Sequence, residues 1–266
     1  MLAREDDMTT SVPTPEPPRI RLGHLPLTPV TMEEALAHIA AWVGREPFRL
    51  VVTPNVDHVI RLRDSLPFRE AYDAAVLSLA DGAPIVWAAR WLGLPPIEKV
   101  SGSDLAPRLC TLAAERGWRV FFAGGQSPDD LAARLDALRA VFPGLVAGGV
   151  WPPHGFDTDP DQSARIVEEA ASFGADLFLM ACGSPKSEIW LNRHRDHLAR
   201  GVGISIGAAL DFMTGRRRRA PAWMQRAGLE WSWRLAREPR RLARRYLWDD
   251  LRFFPMVWQW KRDQRH

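Results

Sequence analysis

Residues 118–150 read WRVFFAGGQSPDDLAARLDALRAVFPGLVAGGV and contain one complete β-α-β pattern. Two short apolar runs, 118–124 and 145–150, flank a stretch over 129–141 with helical character. Continuous apolar runs of this length are typical of strands that are buried on both faces of a parallel sheet. The pair Ser127-Pro128 predicts the start of the helix, because serine caps a first turn and proline fits within it.

The same alternation recurs along the chain. Further strands are predicted at 48–53 (FRLVVT), 75–80 (AVLSLA), 176–181 (DLFLMA) and 202–207 (VGISIG), with helices at 104–116, 161–173 and 188–200. From about Pro221 the pattern is helical only, and Glu238-Pro239 predicts the end of one helix and the start of the next. We therefore predict an α/β fold: a Rossmann-like, doubly wound, mostly parallel sheet with a C-terminal helical appendage.

Charge and tryptophan divide the chain unevenly. Residues 216–266 hold 15 Lys+Arg and 5 Asp+Glu, so that the 215 residues before them hold 20 basic and 27 acidic groups. The same segment contains six of the 12 tryptophans. We predict a disordered leader (1–18), a Rossmann-like α/β core (19–213) and a basic, Trp-rich helical appendage (214–266).

The leader and the cysteines bear on the compartment. Residues 1–18 lack the apolar region of a signal peptide, and the sequence has no run of 18 apolar residues. Cys110 and Cys182 form no CxxC pair. These features predict a reduced, cytoplasmic chain.

The appendage begins with RRRRAPAWMQRAGLEWSWRL (216–235), which predicts an anionic partner. Arginine interleaved with aromatic rings is found in proteins that bind single-stranded nucleic acid, and also at anionic membrane surfaces. A solvated basic helix is the third interpretation. No signature of a known nucleic-acid-binding fold accompanies the segment, so we expect a membrane rather than a nucleic acid.

Polar residues and glycines follow the predicted strands, where an α/β sheet binds its ligands. They are Thr53, Asn55, Asp81, Gly124, the turn CGSPKSE (182–188) and Asp211. Asp81 has two interpretations, a helix N-cap or a general base. Gly124 with Gly125 indicates a tight turn or a phosphate cradle. Lys186 at a helix start suits a diphosphate, and an ordinary strand-to-helix turn explains it equally well.

Metal and dinucleotide chemistry lack sequence support. Asp157-x-Asp159 has the form of a metal–nucleotide motif, but helix capping and solvation account for it more simply. There is no HExxH, and GxGxxG is missing, which argues against a dehydrogenase. We expect neither a metal nor a cofactor.

Eight stretches occur together in a recognisable order. They are TPNVD, ADGAPIVW, VSGSDL, VFFAGG, GSPKSE, GAALDFMTG, RRAPAWMQRAGLEW and RLAREPRRLARRY, over about residues 20 to 250. With them the chain resembles the WecG/TagA/CpsF family of bacterial glycosyltransferases, glycosyltransferase family 26. The last two stretches are the most specific, because short motifs recur by chance.

The resemblance implies an inverting transfer from a UDP-sugar to a polyprenyl-diphosphate-linked sugar at the inner face of the cytoplasmic membrane. N-acetylmannosamine, its uronic acid and glucuronic acid are the open choices of donor sugar, and a homo-oligomer is compatible with the family. Asp81 matches the family's proposed catalytic base. The matching substrate-binding positions are Thr53, Asn55, Lys99, Gly124, Gly183, Pro185, Lys186, Ser187, Asp211, Arg234, Arg241 and Arg244.

Two positions depart from the family pattern. Ser187 stands where the family has glutamine in PKQE, and Lys99 stands where it has arginine. In the appendage, Arg234, Arg241 and Arg244 are expected to close over the diphosphates. Its indoles at Trp231, Trp233, Trp248, Trp258 and Trp260 are expected at the headgroup boundary of the membrane.

Overall fold

The computed structural model describes residues 16–244, Trp248 and 250–264, without the side chains of Arg226, Arg241 and Arg244. The predicted leader therefore lies outside the described residues, apart from residues 16–18. The division of the chain into leader, core and appendage stays a prediction.

The described chain consists of eight strands and thirteen α-helices. The strands are β1 (Ile20–Leu22), β2 (Leu25–Leu27), β3 (Arg49–Val52), β4 (Leu77–Ser78), β5 (Arg119–Ala123), β6 (Val146–Val150), β7 (Leu177–Met180) and β8 (Val202–Ser205). The first nine helices are α1 (Met32–Trp42), α2 (Val56–Asp64), α3 (Leu66–Ala74), α4 (Ala83–Trp91), α5 (Gly102–Arg116), α6 (Pro128–Val141), α7 (Pro160–Phe173), α8 (Lys186–Leu198) and α9 (Ala209–Met213). The appendage holds α10 (Ala222–Arg226), α11 (Glu230–Arg237), α12 (Pro239–Arg244), a 3-10 turn (Asp250–Arg252) and α13 (Phe253–Asp263).

Six strands form one parallel sheet in the order β4-β3-β8-β7-β5-β6. All six are the strands predicted from the apolar runs, so the predicted α/β, Rossmann-like fold is confirmed. The four predicted helices are α5, α6, α7 and α8, and each of their ends lies within two residues of the expected position. Ser127 caps α6 as predicted, because its hydroxyl accepts a hydrogen bond from the backbone N–H of Asp130 at 3.1 Å.

Helices cover both faces of the sheet. One face packs against α1, α5, α6 and α9, and the other against α2, α3, α4, α7, α8 and α13. The neighbouring strands β3 and β8 lead into helices on opposite faces, α2 and α9. Where neighbouring strands lead into helices on opposite faces, a crevice opens beyond the carboxyl ends of the strands. Sheets of this kind bind their ligands in that crevice.

Several elements were not predicted from the sequence. They are the hairpin of β1 and β2, which pairs outside the main sheet, and the helices α1 to α4 and α9. Helices α1 and α4 contain apolar runs, 39–43 (IAAWV) and 85–89 (IVWAA), that the prediction did not assign to an element. The buried residues of these helices recur at helical spacing, as in α1, where Ala35, Leu36 and Ile39 are buried. This periodicity is weaker than the run of apolar residues in a buried strand.

The appendage packs into the core through α13. Phe253 and Val257 are fully buried in the cluster that covers one sheet face. The indole of Trp260 lies against Gly23 in the β1–β2 hairpin, so tightly that an added Cβ on Gly23 would come within 2.3 Å of the ring. Trp260 therefore contributes to the packing of α13 on this hairpin, and its expected place at the membrane stays a prediction.

Neighbouring phenylalanines in α13 give a test of this packing. We expect Phe253→Ala to lower the free energy of unfolding by about 3–5 kcal/mol, the usual effect of emptying a buried phenylalanine site. Phe254→Ala, at a ring that is 48 % exposed, should cost about 1 kcal/mol or less. Denaturant unfolding of the two variants measures both. Equal losses would contradict the placement of α13 in the core.

Candidate active site

A cavity of about 300 Å³ lies between the core and the appendage. From the core it is lined by Asn55, Val56, Asp81, Gly82, Ala83, Pro84, Lys99, Ser101 and Ser103. From the appendage it is lined by Gln225, Gly228, Glu230, Trp231, Arg234, Asp250, Leu251 and Phe254. Four of the predicted site residues therefore meet here, namely Asn55, Asp81, Lys99 and Arg234.

Asp81 enters the cavity directly after β4. Its backbone N–H donates to the carbonyl of Pro54 at 2.8 Å, which ties the loops after β3 and β4 together. The N-cap of α4 is Gly82, at φ +114°, a backbone region that side chains rarely adopt. The alternative interpretation of Asp81 as the N-cap is therefore wrong, and its carboxylate is available to the cavity.

The protein raises the proton affinity of this carboxylate. Burial raises the pKa of Asp81 to about 7, because the low-dielectric surroundings disfavour the charged form. Arg234 lowers this pKa by its positive charge, Glu230 and Asp104 raise it, and Lys99 lowers it. A carboxylate that titrates near neutral pH is suited to general-base catalysis.

Ion pairs hold the appendage against the cavity. The guanidinium of Arg219 donates to Asp104 of α5 at 2.6 Å and to Glu230 of α11 at 3.2 Å. Lys99 donates to the carbonyl of Gln225 at 3.5 Å. These contacts place the first turn of α11, and with it Arg234, over the loop that carries Lys99.

Thr53 lies behind the cavity wall. It is buried, and its hydroxyl faces Gly102, where an added Cβ would come within 3.2 Å of Oγ1. Gly102 thus lets the start of α5 approach β3 closely, and the cap residue Ser101 lines the cavity beside it. The predicted pair Thr53 and Asn55 is placed at one strand end, with Asn55 on the cavity surface.

A second group of predicted residues lies along the same sheet edge but outside the cavity lining. It comprises Gly124 after β5 and Gly183, Pro185, Lys186 and Ser187 after β7. An added Cβ on Gly124 would come within 3.0 Å of Ala181, so close packing accounts for this glycine. Ser187 is fully buried, and its hydroxyl donates to the carbonyl of Gly183 at 3.0 Å.

The two aspartates of the motif Asp157-x-Asp159, which resembles a metal–nucleotide motif, interact with other groups of the protein. The ammonium of Lys186 lies 3.3 Å from the carboxylate of Asp157. Asp159 caps α7 by accepting from the backbone N–H groups of Asp161 and Gln162. Among the residues described, no group of three or more His, Cys, Asp or Glu side chains is placed to hold a metal ion.

Asp211 lies in an ion cluster at the base of the appendage. Its carboxylate accepts from Arg134 at 2.7 Å and pairs with Arg217 at 3.0 Å, and Arg217 also pairs with Glu238. Asp211 does not line the cavity. The side chains of Arg241 and Arg244 lie outside the described part of the structure, although both residues belong to α12.

The tryptophans of the appendage differ in exposure. Trp231, Trp248 and Trp258 are exposed, as predicted for residues at a membrane. Trp233 is half-buried, since its indole N–H donates to the carbonyl of Arg218 at 3.3 Å and Arg237 lies over its ring. The expected place of Trp233 at the headgroups stays a prediction.

Glu188 is a buried acid that the sequence did not single out. It lies in the first turn of α8 and is 1 % exposed. Burial raises its pKa to about 7, although the nearby hydroxyls of Ser205 and Ser184 favour the charged form. Its only sequence signal was its place in the GSPKSE stretch.

The raised pKa of Glu188 predicts that the stability of the folded protein depends on pH. The pKa of Glu188 is higher in the folded chain than its ordinary value of 4.5, so the folded state holds a proton that the unfolded state has lost between about pH 4.5 and 7. Ionisation of Glu188 thus destabilises the fold as the pH rises through this window. We expect the melting temperature of Glu188→Gln, relative to that of the wild type, to increase by several degrees from pH 5 to pH 8.

Exposed Glu115 on α5 supplies the control for this experiment. Glu115→Gln should follow the wild-type melting temperature across the same pH range. A constant difference between Glu188→Gln and the wild type would refute the raised pKa of Glu188.

Residues 20–266 match the family model described as Glycosyl transferase WecG/TagA/CpsF family, and this range includes the cavity, the sheet and the whole appendage.

Proposed function

Because the chain belongs to the WecG/TagA/CpsF glycosyltransferase family, we propose that its cavity is the site of an inverting transfer from a UDP-sugar to a polyprenyl-diphosphate-linked sugar. The family indicates a glycosyltransferase of cell-surface polysaccharide synthesis that uses a sugar-nucleotide donor and a lipid-linked acceptor. UDP as the nucleotide and a polyprenyl diphosphate as the lipid carrier are parts of the proposal.

The meeting of Asp81 with Arg234 and Lys99 in one cavity carries the proposal. The carboxylate of Asp81 takes the proton from the acceptor hydroxyl. That oxygen then forms a bond to the anomeric carbon on the face opposite the nucleotide, and the bond from this carbon to the diphosphate oxygen breaks. The product has inverted configuration, and the nucleoside diphosphate leaves with the electron pair.

Positive charge is needed where the diphosphate leaves. Preorganised cations that face a developing negative charge are among the largest contributions to catalysis. Arg234 reaches the cavity from the appendage and Lys99 from the core, so a donor between them meets both. Gly124, Gly183, Pro185, Lys186, Ser187 and Asp211 stay predicted donor-site residues, as do Arg241 and Arg244, whose side chains lie outside the described residues.

The ion pairs of the arginine run favour the interpretation of residues 214–266 as the lid of an enzyme and not as a surface that binds nucleic acid. Arg216 pairs with Asp130 at 3.4 Å, Arg217 with Asp211 at 3.0 Å, and Arg219 with Asp104 at 2.6 Å. Each of these three arginines pairs with a carboxylate of the protein, which reduces the positive charge that the run offers to phosphates, although Arg216 and Arg217 are exposed. This pairing supports the assignment of residues 214–266 as a cavity wall.

The proposed acceptor places the enzyme at the inner face of the cytoplasmic membrane. Its prenyl chain stays in the bilayer, so the protein must approach the membrane surface. No helix within the described ranges is long and apolar enough to cross a bilayer. We therefore propose peripheral association through the appendage.

A screen of donors tests the reaction. The full chain is incubated with UDP-N-acetylmannosamine, UDP-N-acetylmannosaminuronic acid or UDP-glucuronic acid and a polyprenyl-diphosphate-linked sugar, and mass spectrometry detects the product. We expect one donor to yield an elongated lipid-linked sugar together with UDP. Transfer from none of these donors, with specific binding of single-stranded RNA, would favour the nucleic-acid alternative.

Activity is expected without a divalent metal. Asp157 pairs with Lys186 and Asp159 caps α7, so neither is committed to a metal–nucleotide complex. We expect turnover in EDTA to stay within about twofold of the untreated enzyme, and Asp159→Asn to retain activity, since asparagine also caps helices. Loss of transfer in EDTA with recovery in Mg²⁺ or Mn²⁺ would contradict this expectation.

A further inference from the structure

Helix α4 of the core presents two stacked tryptophans to solvent. The rings of Trp87 and Trp91 are nearly parallel, with centroids 5.7 Å apart, and the side chains are 47 % and 39 % exposed. The helix buries Ile85, Ala88 and Ala89 on its other side. Large apolar side chains that are exposed singly are ordinary, but an exposed stacked pair is a contiguous apolar patch.

Helix α13 of the appendage extends this patch. The ring of Phe254 lies 6.1 Å from that of Trp87. Phe254 and Trp258 are both about half exposed and stand four residues apart on one helix face, while Phe253 and Val257 point into the core. We call Trp87, Trp91, Phe254 and Trp258 the aromatic face. It is built jointly by the core and the appendage.

Positive charge accompanies the aromatic face. The guanidinium of Arg262 lies 4.8 Å from the ring of Trp258, and Arg90 and Arg252 are exposed on the elements that carry the face. Residues 216–266 as a whole hold ten more basic than acidic side chains. Exposed indoles bordered by arginines suit the boundary between lipid headgroups and acyl chains.

The aromatic face adjoins the candidate active site. Phe254 lines the cavity that contains Asp81 and also contacts Trp87, and Leu251, which is 54 % exposed, lines the same cavity. The apolar surface therefore continues from the cavity wall to the outside of the protein.

We propose that the aromatic face binds an anionic lipid bilayer and turns the mouth of the cavity toward it, with Trp87 and Trp91 of the core as contacts in addition to those of the appendage. This inference rests on the proposed function, since a lipid-linked acceptor must reach Asp81 from the membrane. An exposed face on two helices fits a bilayer surface better than it fits a single prenyl chain, which requires a groove. Aromatic side chains enter the headgroup region without displacing the ion pairs that hold the appendage.

Vesicle flotation with the full chain tests the proposal. The probe is vesicles of phosphatidylglycerol and phosphatidylethanolamine, with phosphatidylcholine vesicles for comparison. We expect the wild type to float with the anionic vesicles, and the double variant Trp87→Ser, Trp91→Ser to bind them about tenfold more weakly, because it loses two apolar contacts. The variant Trp258→Ser should also weaken binding.

A matched control removes exposed apolar side chains at the opposite edge of the sheet. Val141 at the end of α6 and Val146 on β6 are 55 % and 40 % exposed. The double variant Val141→Ser, Val146→Ser should float like the wild type. Melting temperatures of all variants show whether each is folded, and the single variant Trp91→Ser replaces the double one if that variant unfolds.

The outcomes separate the inference from the proposed function. Wild-type flotation with unchanged flotation of the Trp87 and Trp91 variants would overturn the inference alone and leave membrane contact to the appendage. Absence of wild-type flotation would overturn both the inference and the proposed membrane association. The transfer reaction itself is tested independently by the donor screen.

Discussion

The variant Asp81→Asn is expected to transfer sugar about 10²-fold more slowly than the wild type, or slower still, with its affinity for UDP unchanged. Asparagine has nearly the same shape as aspartate but cannot accept the proton of the acceptor hydroxyl, and general-base catalysis has about this magnitude. Single-turnover rates and UDP titration measure the two quantities separately.

Melting temperatures distinguish loss of the base from loss of the fold. The pKa of Asp81 is raised to about 7 by burial, so its ionised form destabilises the folded state at alkaline pH. Asp81→Asn removes this cost, and we expect its melting temperature at pH 8 to equal or exceed that of the wild type. A folded variant with near-wild-type turnover would remove Asp81 from the mechanism.

The dependence of kcat/KM on pH tests the same carboxylate. Only ionised Asp81 acts as a base, so kcat/KM of the wild type should rise with pH and level off above about pH 7, where the pKa of Asp81 lies. The residual activity of Asp81→Asn should lack this acidic limb. A limb that persists unchanged in the variant would assign it to another group.

Removal of Arg234 is expected to have the second large effect. We expect Arg234→Ala to lower kcat/KM by about 10²–10³-fold, because a cation that faces the leaving diphosphate acts most strongly in the transition state. Arg234→Lys keeps the charge but loses the planar pair of donors, and should recover part of this loss. Steady-state kinetics with the donor found in the screen measures both variants.

Arg234 also acts on Asp81, which gives a second measurement. Its positive charge lowers the pKa of Asp81, so Arg234→Ala should shift the acidic limb of the pH profile to higher pH. The control is Arg237→Ala on the same helix, since exposed Arg237 lies over the ring of Trp233 and does not line the cavity. Equal losses in Arg234→Ala and Arg237→Ala would show that the appendage acts only by its overall charge.

Local burial made much of the fold predictable. A strand that is covered on both faces needs an unbroken apolar run, so all six strands of the main sheet, including FRLVVT and VGISIG, could be recognised before their order was known. Capping and proline rules depend on neighbouring residues only, and they located the start of α6 and the break between α11 and α12. The hairpin of β1 and β2 gave no comparable run and was missed, and helix α4 was missed although residues 85–89 (IVWAA) form an apolar run.

The candidate site was only partly predictable. The sequence singled out Asp81 by its position after a strand and by the family resemblance, but left open whether it capped α4. The backbone at Gly82 excluded the cap. The sequence grouped Lys186 with Asp81, whereas the structure places Lys186 beside Asp157 and outside the cavity.

The sequence by itself determined the six strands of the main sheet, four of the core helices and the basic, aromatic character of residues 216–266. Only the tertiary structure decided what that character is used for. The arginine run pairs with carboxylates from distant segments, as Arg219 does with Asp104 across 115 positions, and the exposed ring of Phe254 in α13 lies 6.1 Å from that of Trp87 in α4. Periodicity and capping reflect only the burial and the hydrogen bonds that a residue has as part of its own helix or strand. Contacts between segments far apart in the chain depend on the crossovers of the sheet and on side-chain volumes, which local patterns do not encode.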